Sequence, residues 1–193
     1  MLSRLLIFAC FLVTALATDG VFKRPKGKSF VTIDYRVGWP LNTTTPTGIV
    51  AMVPVRGGDI KGQFNGRIVE NITSSYEEAL PSTSGEYTRE LTNRDQSYEN
   101  QLLFEDDSGQ RILTKVAGLT TYGNMALHGF GYATLITTIK ELEWVNYAMF
   151  IAEWQADFGT GTAEIEIFSI STGGRKDGKP IKALLPPGGG AYA

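Results

Sequence analysis

Short runs of alternating apolar and polar residues recur along the chain. Phe30–Val37 and Ala163–Ile170 alternate like strands with one buried face, and Trp144–Trp154 is rich in aromatic residues. A period of two is typical of half-buried β-strands, and no convincing amphipathic helix is evident. Further strands are predicted at Ile49–Val55, Gly62–Val69, Glu86–Leu91, Tyr98–Phe104, Arg111–Ala117 and Tyr132–Thr138.

Polar segments rich in glycine, aspartate and threonine separate these runs. We expect turns at Arg56–Asp59, Glu105–Gly109 and Asp157–Thr162, a polar insertion at Ile72–Ser84 and a loop at Leu119–Phe130. Roughly eight short strands with closely spaced turns are typical of all-β sandwiches and barrels. We therefore predict an all-β fold, a single antiparallel β-barrel of about eight strands with a cavity for one small ligand.

The barrel domain is predicted over residues 29–170. Residues 18–28 form a charged N-terminal arm without periodicity, and residues 171–193 form a tail rich in glycine, proline and lysine. Such a composition predicts a flexible tail. A length of 193 residues and an apolar content of 42% are sufficient for one domain with a hydrophobic core.

The first 17 residues have the parts of a secretory signal peptide: the basic Arg4, an apolar stretch and an Ala-x-Ala cleavage site. We therefore expect the mature protein to be secreted or to lie in the lumen of the secretory pathway. Cys10 is the only cysteine and lies within this segment, so the mature chain would contain no disulfide, thiolate metal site or cysteine nucleophile. Asn42 and Asn71 begin Asn-x-Thr sequons and are predicted glycosylation sites.

Charge and composition argue against several classes of partner. A net charge of -2 and the lack of a long basic run do not suggest nucleic-acid binding. Beyond the signal peptide, no apolar run approaches the roughly 18 residues of a membrane span. His128 is the only histidine and has no metal-binding spacing around it, so neither a metal nor another cofactor is expected.

Several polar residues could face a cavity. His128 fits either an ordinary loop histidine or a proton donor at the barrel mouth. Lys115 is expected to point outward; if it pointed inward, burial would lower its pKa. Glu99, Gln101 and Asn146 could each point outward, be buried with a hydrogen-bond partner, or belong to a polar patch in a cavity.

Aromatic residues are abundant, and most are expected in the core because aromatic side chains favour strands. Asn146 shares a predicted strand face with Trp144 and Phe150. One amide in an apolar row is the usual composition of a ligand pocket. Some of the tyrosines could donate hydrogen bonds into such a pocket.

Several motifs resemble a family of small β-barrels long labelled as a domain of unknown function. Val53–Val69 resembles the glycine-rich start of that family, and Asp106–Leu113 resembles its Asp-Asp-Gly hairpin. Trp144–Asn146 and the later Ile165–Phe168 resemble its closing strands. The resemblance extends over the predicted barrel domain.

Fungal members of this family include secreted hetero-Diels-Alderases of tropolone sesquiterpenoid pathways, which join a quinone-methide polyketide to a humulene-type terpene. The resemblance thus implies a cofactor-independent cyclase with a small hydrophobic polyketide or terpenoid substrate. Two positions depart from the family pattern. Glu70–Thr73 replaces a Gly-Gly-Ala-Asp segment, and Glu99 with Gln101 replaces an acidic–arginine pair. Both changes are consistent with a pocket whose residues differ from the family pattern in a way that suits an apolar substrate.

For such a cyclase, the candidate catalytic residues are His128, Lys115, Glu99, Tyr35 and Tyr122. Gln101 and Asn146 would orient carbonyl oxygens, and Trp144 and Phe150 would contact the terpene. Two alternatives stay open: a non-catalytic secreted carrier of a small hydrophobic ligand, and an interaction protein whose barrel is packed solid. A homodimer is compatible with each.

Overall fold

The computed structural model describes most of the predicted barrel domain and its flanks, namely residues 20–46, 48–72, 74–79 and 95–181. The predicted signal peptide and the predicted strand Glu86–Leu91 lie outside these residues, as does the end of the predicted tail. Within the described ranges, no helix has both the length and the apolar character that a membrane crossing requires.

The described residues form ten β-strands and one short 3₁₀ helix. The strands are β1 (Lys26–Val37), β2 (Leu41–Thr45), β3 (Gly48–Gly62), β4 (Gly66–Ile68), β5 (Ser74–Ala79), β6 (Asp95–Glu105), β7 (Arg111–Gly123), β8 (Ala126–Thr137), β9 (Met149–Asp157) and β10 (Thr162–Ser171). The 3₁₀ helix spans Lys140–Tyr147, between β8 and β9.

Antiparallel pairing closes the strands into a barrel. The order around the wall is β1, β10, β9, β8, β7 and β6, followed by the short strands β4 and β5, which both bridge β6 to β3. Pairing of β3 with β1, with Ile60 opposite Ile33, completes the ring. The predicted all-β barrel of eight strands is confirmed, with β4 and β5 sharing one position in the wall and β2 paired to β3.

Alternate residues of each strand point into the barrel. On β9, for example, Phe150, Ala152, Trp154 and Ala156 are buried and the residues between them are not. Burying a large apolar side chain stabilises a fold by about 1.5–3 kcal/mol, so this core can support a domain without disulfides. The largest fully buried side chains are Phe30, Phe104, Phe150, Ile33, Ile60, Ile68, Leu102, Ile112, Ile165 and Ile167.

The predicted turn at Arg56–Asp59 is wrong, because β3 runs through it without interruption. The pairing register between β1 and β3 shifts between Tyr35 and Val37, so the glycines accommodate a bulge rather than a chain reversal. Gly57 has a φ of 81°, a backbone conformation that glycine adopts without a steric penalty.

The predicted loop at Leu119–Phe130 is also wrong, because β7 and β8 extend through it and pair up to Gly123 and Ala126. A two-residue turn joins these strands. Asn124 and Met125 have φ values of 53° and 59°, which is typical of a type I′ hairpin. Methionine seldom adopts positive φ, so this turn lacks its usual Asn-Gly signature. His128 therefore lies on a strand.

Three other segments differ from their predicted structure. Of the predicted strand Gly62–Val69, Gly62 ends β3 and only Gly66–Ile68 form a further strand, because the chain reverses after β3 where the Asn65 side chain bonds the backbone of Gly62. The polar insertion at Ile72–Ser84 contains β5, which fills the wall between β3 and β6. The predicted strand Trp144–Trp154 is helical up to Tyr147 and extended only from Met149. Strand propensity is outweighed here by tertiary packing, because Val145 is buried in the core while still in the helix.

The chain divides into two compact units, and the barrel unit comprises Gly27–Ile170. In the other unit, the described parts of the N- and C-terminal segments pair with each other. Phe22 and Arg175 form an antiparallel bridge. The backbone N–H of Lys23 donates to the carbonyl of Gly174 at 2.9 Å.

Candidate functional site

Glu99, Gln101 and Lys115 form a polar group on the outer wall of the barrel. Lys115 Nζ lies 2.8 Å from Glu99 Oε1, and both side chains are about 40% exposed. The hydrogen bond from Lys115 lowers the pKa of the Glu99 carboxyl, and the same contact raises the pKa of Lys115. Gln101 Nε2 donates to Glu99 Oε1 at 3.4 Å. The default expectation of an outward Lys115 therefore agrees with the structure, and its amine stays charged at neutral pH.

His128 also points away from the interior. Its Nε2 lies 2.8 Å from Glu153 Oε1, and the two side chains are 61% and 52% exposed. The pair lies in an open cleft of about 460 Å³ whose other described acidic side chains are Asp34, Glu164 and Glu166. Among the residues that the structure describes, no group of three or more His, Cys, Asp or Glu side chains could hold a metal ion.

The two candidate tyrosines lie inside the barrel. Tyr35 is buried in the core on β1. Tyr122 is buried near the end of β7, and its ring stacks on Phe158 with centroids 5.9 Å apart and an interplanar angle of 10°. The Tyr122 hydroxyl has no hydrogen-bond partner among the described residues.

Trp144 and Phe150 meet at the opposite end of the barrel. Phe150 is fully buried, whereas Trp144 on the 3₁₀ helix is 40% exposed. Their ring centroids are 5.8 Å apart, and each contacts Phe30 edge-on at 5.4–5.7 Å. These three rings close this end of the core.

Asn146 has a structural role in this arrangement. Its Oδ1 accepts a hydrogen bond from the Thr137 backbone N–H at 2.8 Å, and its Nδ2 donates to the Thr137 carbonyl at 2.9 Å. The amide thereby joins the 3₁₀ helix to the last residue of β8. Since both of its polar atoms are engaged, orienting a substrate carbonyl would require the loss of one of these bonds.

The two predicted glycosylation sites lie on the surface. Asn42 is exposed on β2, and Asn71 is exposed in the segment between β4 and β5 with a φ of 63°. Their exposure is compatible with glycosylation, which stays a prediction.

Several buried polar side chains were not singled out from the sequence, and two of them have an atom without a hydrogen-bond partner among the described residues. Asn100 is 1% exposed and Thr114 is 0% exposed. The Oδ1 atom of Asn100 and the Oγ1 atom of Thr114 have no hydrogen-bond partner within the described ranges. Asn100 pairs with Val116 and Leu102 pairs with Thr114, so the two polar residues are diagonal neighbours on adjacent strands. Such neighbours lie about 7 Å apart.

Other polar atoms near this wall are paired. Asn100 Nδ2 donates to the Tyr98 hydroxyl at 2.9 Å, and Trp154 Nε1 donates to Thr120 Oγ1 at 3.1 Å. The Tyr98 and Trp154 rings stack with centroids 4.7 Å apart. The interior thus has an aromatic surface with neutral hydrogen-bonding groups beside it. Period-two alternation from Tyr98 through Leu102 could have identified Asn100 as an inward residue.

No protein-family model and no curated protein matches this sequence. Similar solved structures include a protein of unknown function from Clostridium acetobutylicum, which is 14% identical with a TM-score of 0.64 and covers 77% of this chain and 100% of its own. A β-barrel-like protein from Acinetobacter baumannii is 14% identical with a TM-score of 0.56 and covers 77% of this chain and 98% of its own. An enzyme from Penicillium herquei is 13% identical with a TM-score of 0.52 and covers 81% of this chain and 100% of its own. At these identities the likeness shows the barrel fold alone.

Proposed function

We propose that the barrel binds a small, largely apolar molecule against the inner wall around Asn100 and Thr114. The observation that carries this proposal is the pair of buried polar atoms without partners among the described residues. Most buried polar atoms in folded proteins have a hydrogen-bond partner, so those that lack one call for a specific explanation. A bound molecule with one or two polar groups would supply the missing partners and pack its apolar part on Tyr98 and Trp154. Because Asn100 is 1% and Thr114 is 0% exposed, its entry requires core side chains to move aside.

We further propose that the protein acts on this molecule as a cofactor-independent cyclase of the hetero-Diels-Alderase type. The sequence resemblance supports this reaction class, and the likeness to a barrel described only as an enzyme supports catalysis of some kind. A pericyclic addition needs its partners held in reactive geometry and profits from hydrogen bonds to the electron-poor partner. Thr114 has a buried hydroxyl at this wall that could donate such a bond. Tyr122 lies eight residues further along β7, roughly 26 Å away at about 3.3 Å per residue, and is therefore too distant to share the same substrate group. In this proposal the electron-poor partner is a quinone methide and the other partner is a terpene.

The reaction is tested by incubating the purified protein with an o-quinone methide precursor and humulene, followed by chiral chromatography of the adducts. We expect a faster reaction and a stereoisomer ratio that differs from the uncatalysed one. Thr114→Val should reduce the enhancement, whereas Thr134→Val on the exposed face of β8 should not. A ratio equal to the spontaneous one would refute the cyclase proposal.

One observation favours a carrier of a small hydrophobic ligand instead. The charged candidates for proton transfer, Glu99, Lys115 and His128, all lie on the outer wall. The interior therefore offers neutral groups, which suffice for binding. Saturable binding of the adduct without any rate enhancement would support a carrier.

Secretion and glycosylation belong to the same proposal. Cleavage after residue 17 and glycans at Asn42 and Asn71 would place the protein in the secretory pathway or outside the cell. Mass spectrometry of protein from a fungal host, before and after enzymatic deglycosylation, tests both. An intact N-terminus and an unchanged mass after deglycosylation would contradict them.

A further inference from the structure

A second cleft lies at the end of the barrel where β1 ends and the β9–β10 turn begins. It has a volume of about 270 Å³ and is lined by Trp39, Pro40, Arg56, Phe158 and the turn residues 159–161, among others. It is separate from the inner-wall site around Asn100 and Thr114 and does not depend on the function proposed for that site.

Local contacts hold the walls of this cleft in place. The Val37 backbone N–H donates to the Gly161 carbonyl at 2.9 Å, and the Gly38 N–H donates to the Pro54 carbonyl at 2.8 Å. The Phe158 N–H donates to the Met125 carbonyl at 2.9 Å. One of these bonds therefore joins the two sides of the cleft, and the other two join the cleft backbone to two neighbouring segments.

Gly38 makes room for the side chain of Arg56. A Cβ atom at Gly38 would lie 2.7 Å from Pro54 Cγ and 2.9 Å from Arg56 Nε, so the absence of a side chain at Gly38 lets the guanidinium lie close to the backbone there. Arg56 has no ion pair or hydrogen bond among the described residues, and no carboxylate lines the described cleft. Asp157, just before the turn, accepts hydrogen bonds from the backbone N–H groups of Gly159 and Thr160.

The apolar walls of the cleft are aromatic. Trp39 is 76% exposed, which is unusual for a large apolar ring and leaves its indole available for contact. Phe158 also lines the cleft, and its ring stacks on the buried ring of Tyr122. An apolar cavity of about 150 Å³ can hold benzene, so the larger cleft has room for a ring with substituents.

We propose that this cleft binds a small planar aromatic anion, a carboxylate or a phenolate. The ring would stack against Trp39 and Phe158, and the anionic oxygen would pair with the Arg56 guanidinium. Arginine suits this task because its planar fork can donate two parallel hydrogen bonds to a carboxylate. One ligand of this class would account for both the Arg56 guanidinium, unpaired among the described residues, and the exposed ring of Trp39.

The test is a fluorescence and calorimetric titration of the purified protein with benzoate, with benzyl alcohol as the neutral ring of similar size. We expect saturable benzoate binding, a change in tryptophan emission that Trp39→Phe abolishes, and much weaker binding of benzyl alcohol. Arg56→Gln should weaken benzoate binding by about tenfold or more, since a charge-assisted hydrogen bond is lost. Added salt should weaken it as well.

Arg36→Gln is the matched control, because Arg36 is a nearby exposed arginine that lines a different cleft. It should leave benzoate affinity within about twofold, which is the scale of a screened surface charge. Repeating the titration with 4-nitrophenolate distinguishes a phenolate from a carboxylate preference. Equal binding of benzoate and benzyl alcohol, or equal losses in Arg56→Gln and Arg36→Gln, would overturn the proposal. Circular dichroism verifies that each variant is folded.

Discussion

Two threonines on β7 allow a sharp test of the buried polar atoms. Thr114 and Thr120 are both fully buried, but only Thr120 has a known partner, the indole N–H of Trp154 at 3.1 Å. Replacement by valine keeps the β-branched shape and removes the hydroxyl at each position. The same substitution is therefore expected to change stability in opposite directions.

The magnitudes follow from the cost of an unpaired buried polar group, which is about 1–3 kcal/mol. In the ligand-free protein, Thr114→Val removes a hydroxyl without a partner and should raise the free energy of unfolding by about 1 kcal/mol. Thr120→Val leaves the buried Trp154 N–H unpaired and should lower that free energy by about 1–3 kcal/mol. A change of 1 kcal/mol corresponds to a shift in melting temperature of about 2–4 °C for a chain of this size.

Urea unfolding followed by circular dichroism measures both effects. Each should appear as a shift in the midpoint urea concentration, with no change in the slope of the unfolding free energy against urea concentration. Thr134→Val, on the exposed face of β8, is the control and should change stability by no more than about 0.5 kcal/mol. If Thr114→Val destabilised the protein as much as Thr120→Val, the Thr114 hydroxyl would have a partner in solution. The main support for an inner-wall ligand site would then be lost.

Three further substitutions test the fold around the site. Asn146→Ala removes two hydrogen bonds to the end of β8 and should lower the free energy of unfolding by about 1–3 kcal/mol in urea unfolding, and an unchanged midpoint would contradict its structural role. Gly129→Ala would place a Cβ 2.2 Å from the Trp154 ring, so we expect a loss of about 1–3 kcal/mol and altered tryptophan emission. Hydrogen bonding from the neighbouring arginines, Arg111 first, lowers the pKa of Glu105 below its ordinary 4.5. The ion pairs of Glu105 should therefore stabilise the fold at pH values above 4.5. This stabilisation should be lost as the pH falls through the lowered pKa of Glu105. Glu105→Gln should cost stability at neutral pH but not in strong acid, as measured by urea unfolding at both pH values; an equal cost at both would contradict this role.

The sequence resemblance to a barrel family that includes cyclases and the geometry of the site support different parts of the proposed function. The fold agrees with the expectation from the pattern, and the structural neighbours agree with the fold. The residue roles do not transfer as simply. Of the candidate catalytic residues, only Tyr35 and Tyr122 lie inside the barrel, so chemistry at the inner wall would depend on neutral donors.

Alternation of apolar and polar residues determined the class of this protein. Runs such as Ala163–Ile170 predict a strand with one buried face, because a strand with a period of two has only two faces to divide between core and solvent. The all-β class follows from many such runs with no amphipathic helix evident in the sequence, and this inference needs no contacts that are distant in sequence. The same pattern is typical of sandwiches and barrels, so closure depends on the long-range pairing of β1 with β3.

Only the tertiary structure decided which side chains meet. A one-residue shift of register moves every side chain of a strand to the other face, so the pattern favours an outward Lys115 but leaves Glu99, Gln101 and Asn146 open between the outer surface and the interior. The positive φ of Met125 and the 3₁₀ helix at Trp144 both run against local propensity. The turn is stabilised by the pairing of β7 with β8 on either side of it. The helix is stabilised by the packing of Trp144 on Phe150 and on Phe30, which is far away in the chain.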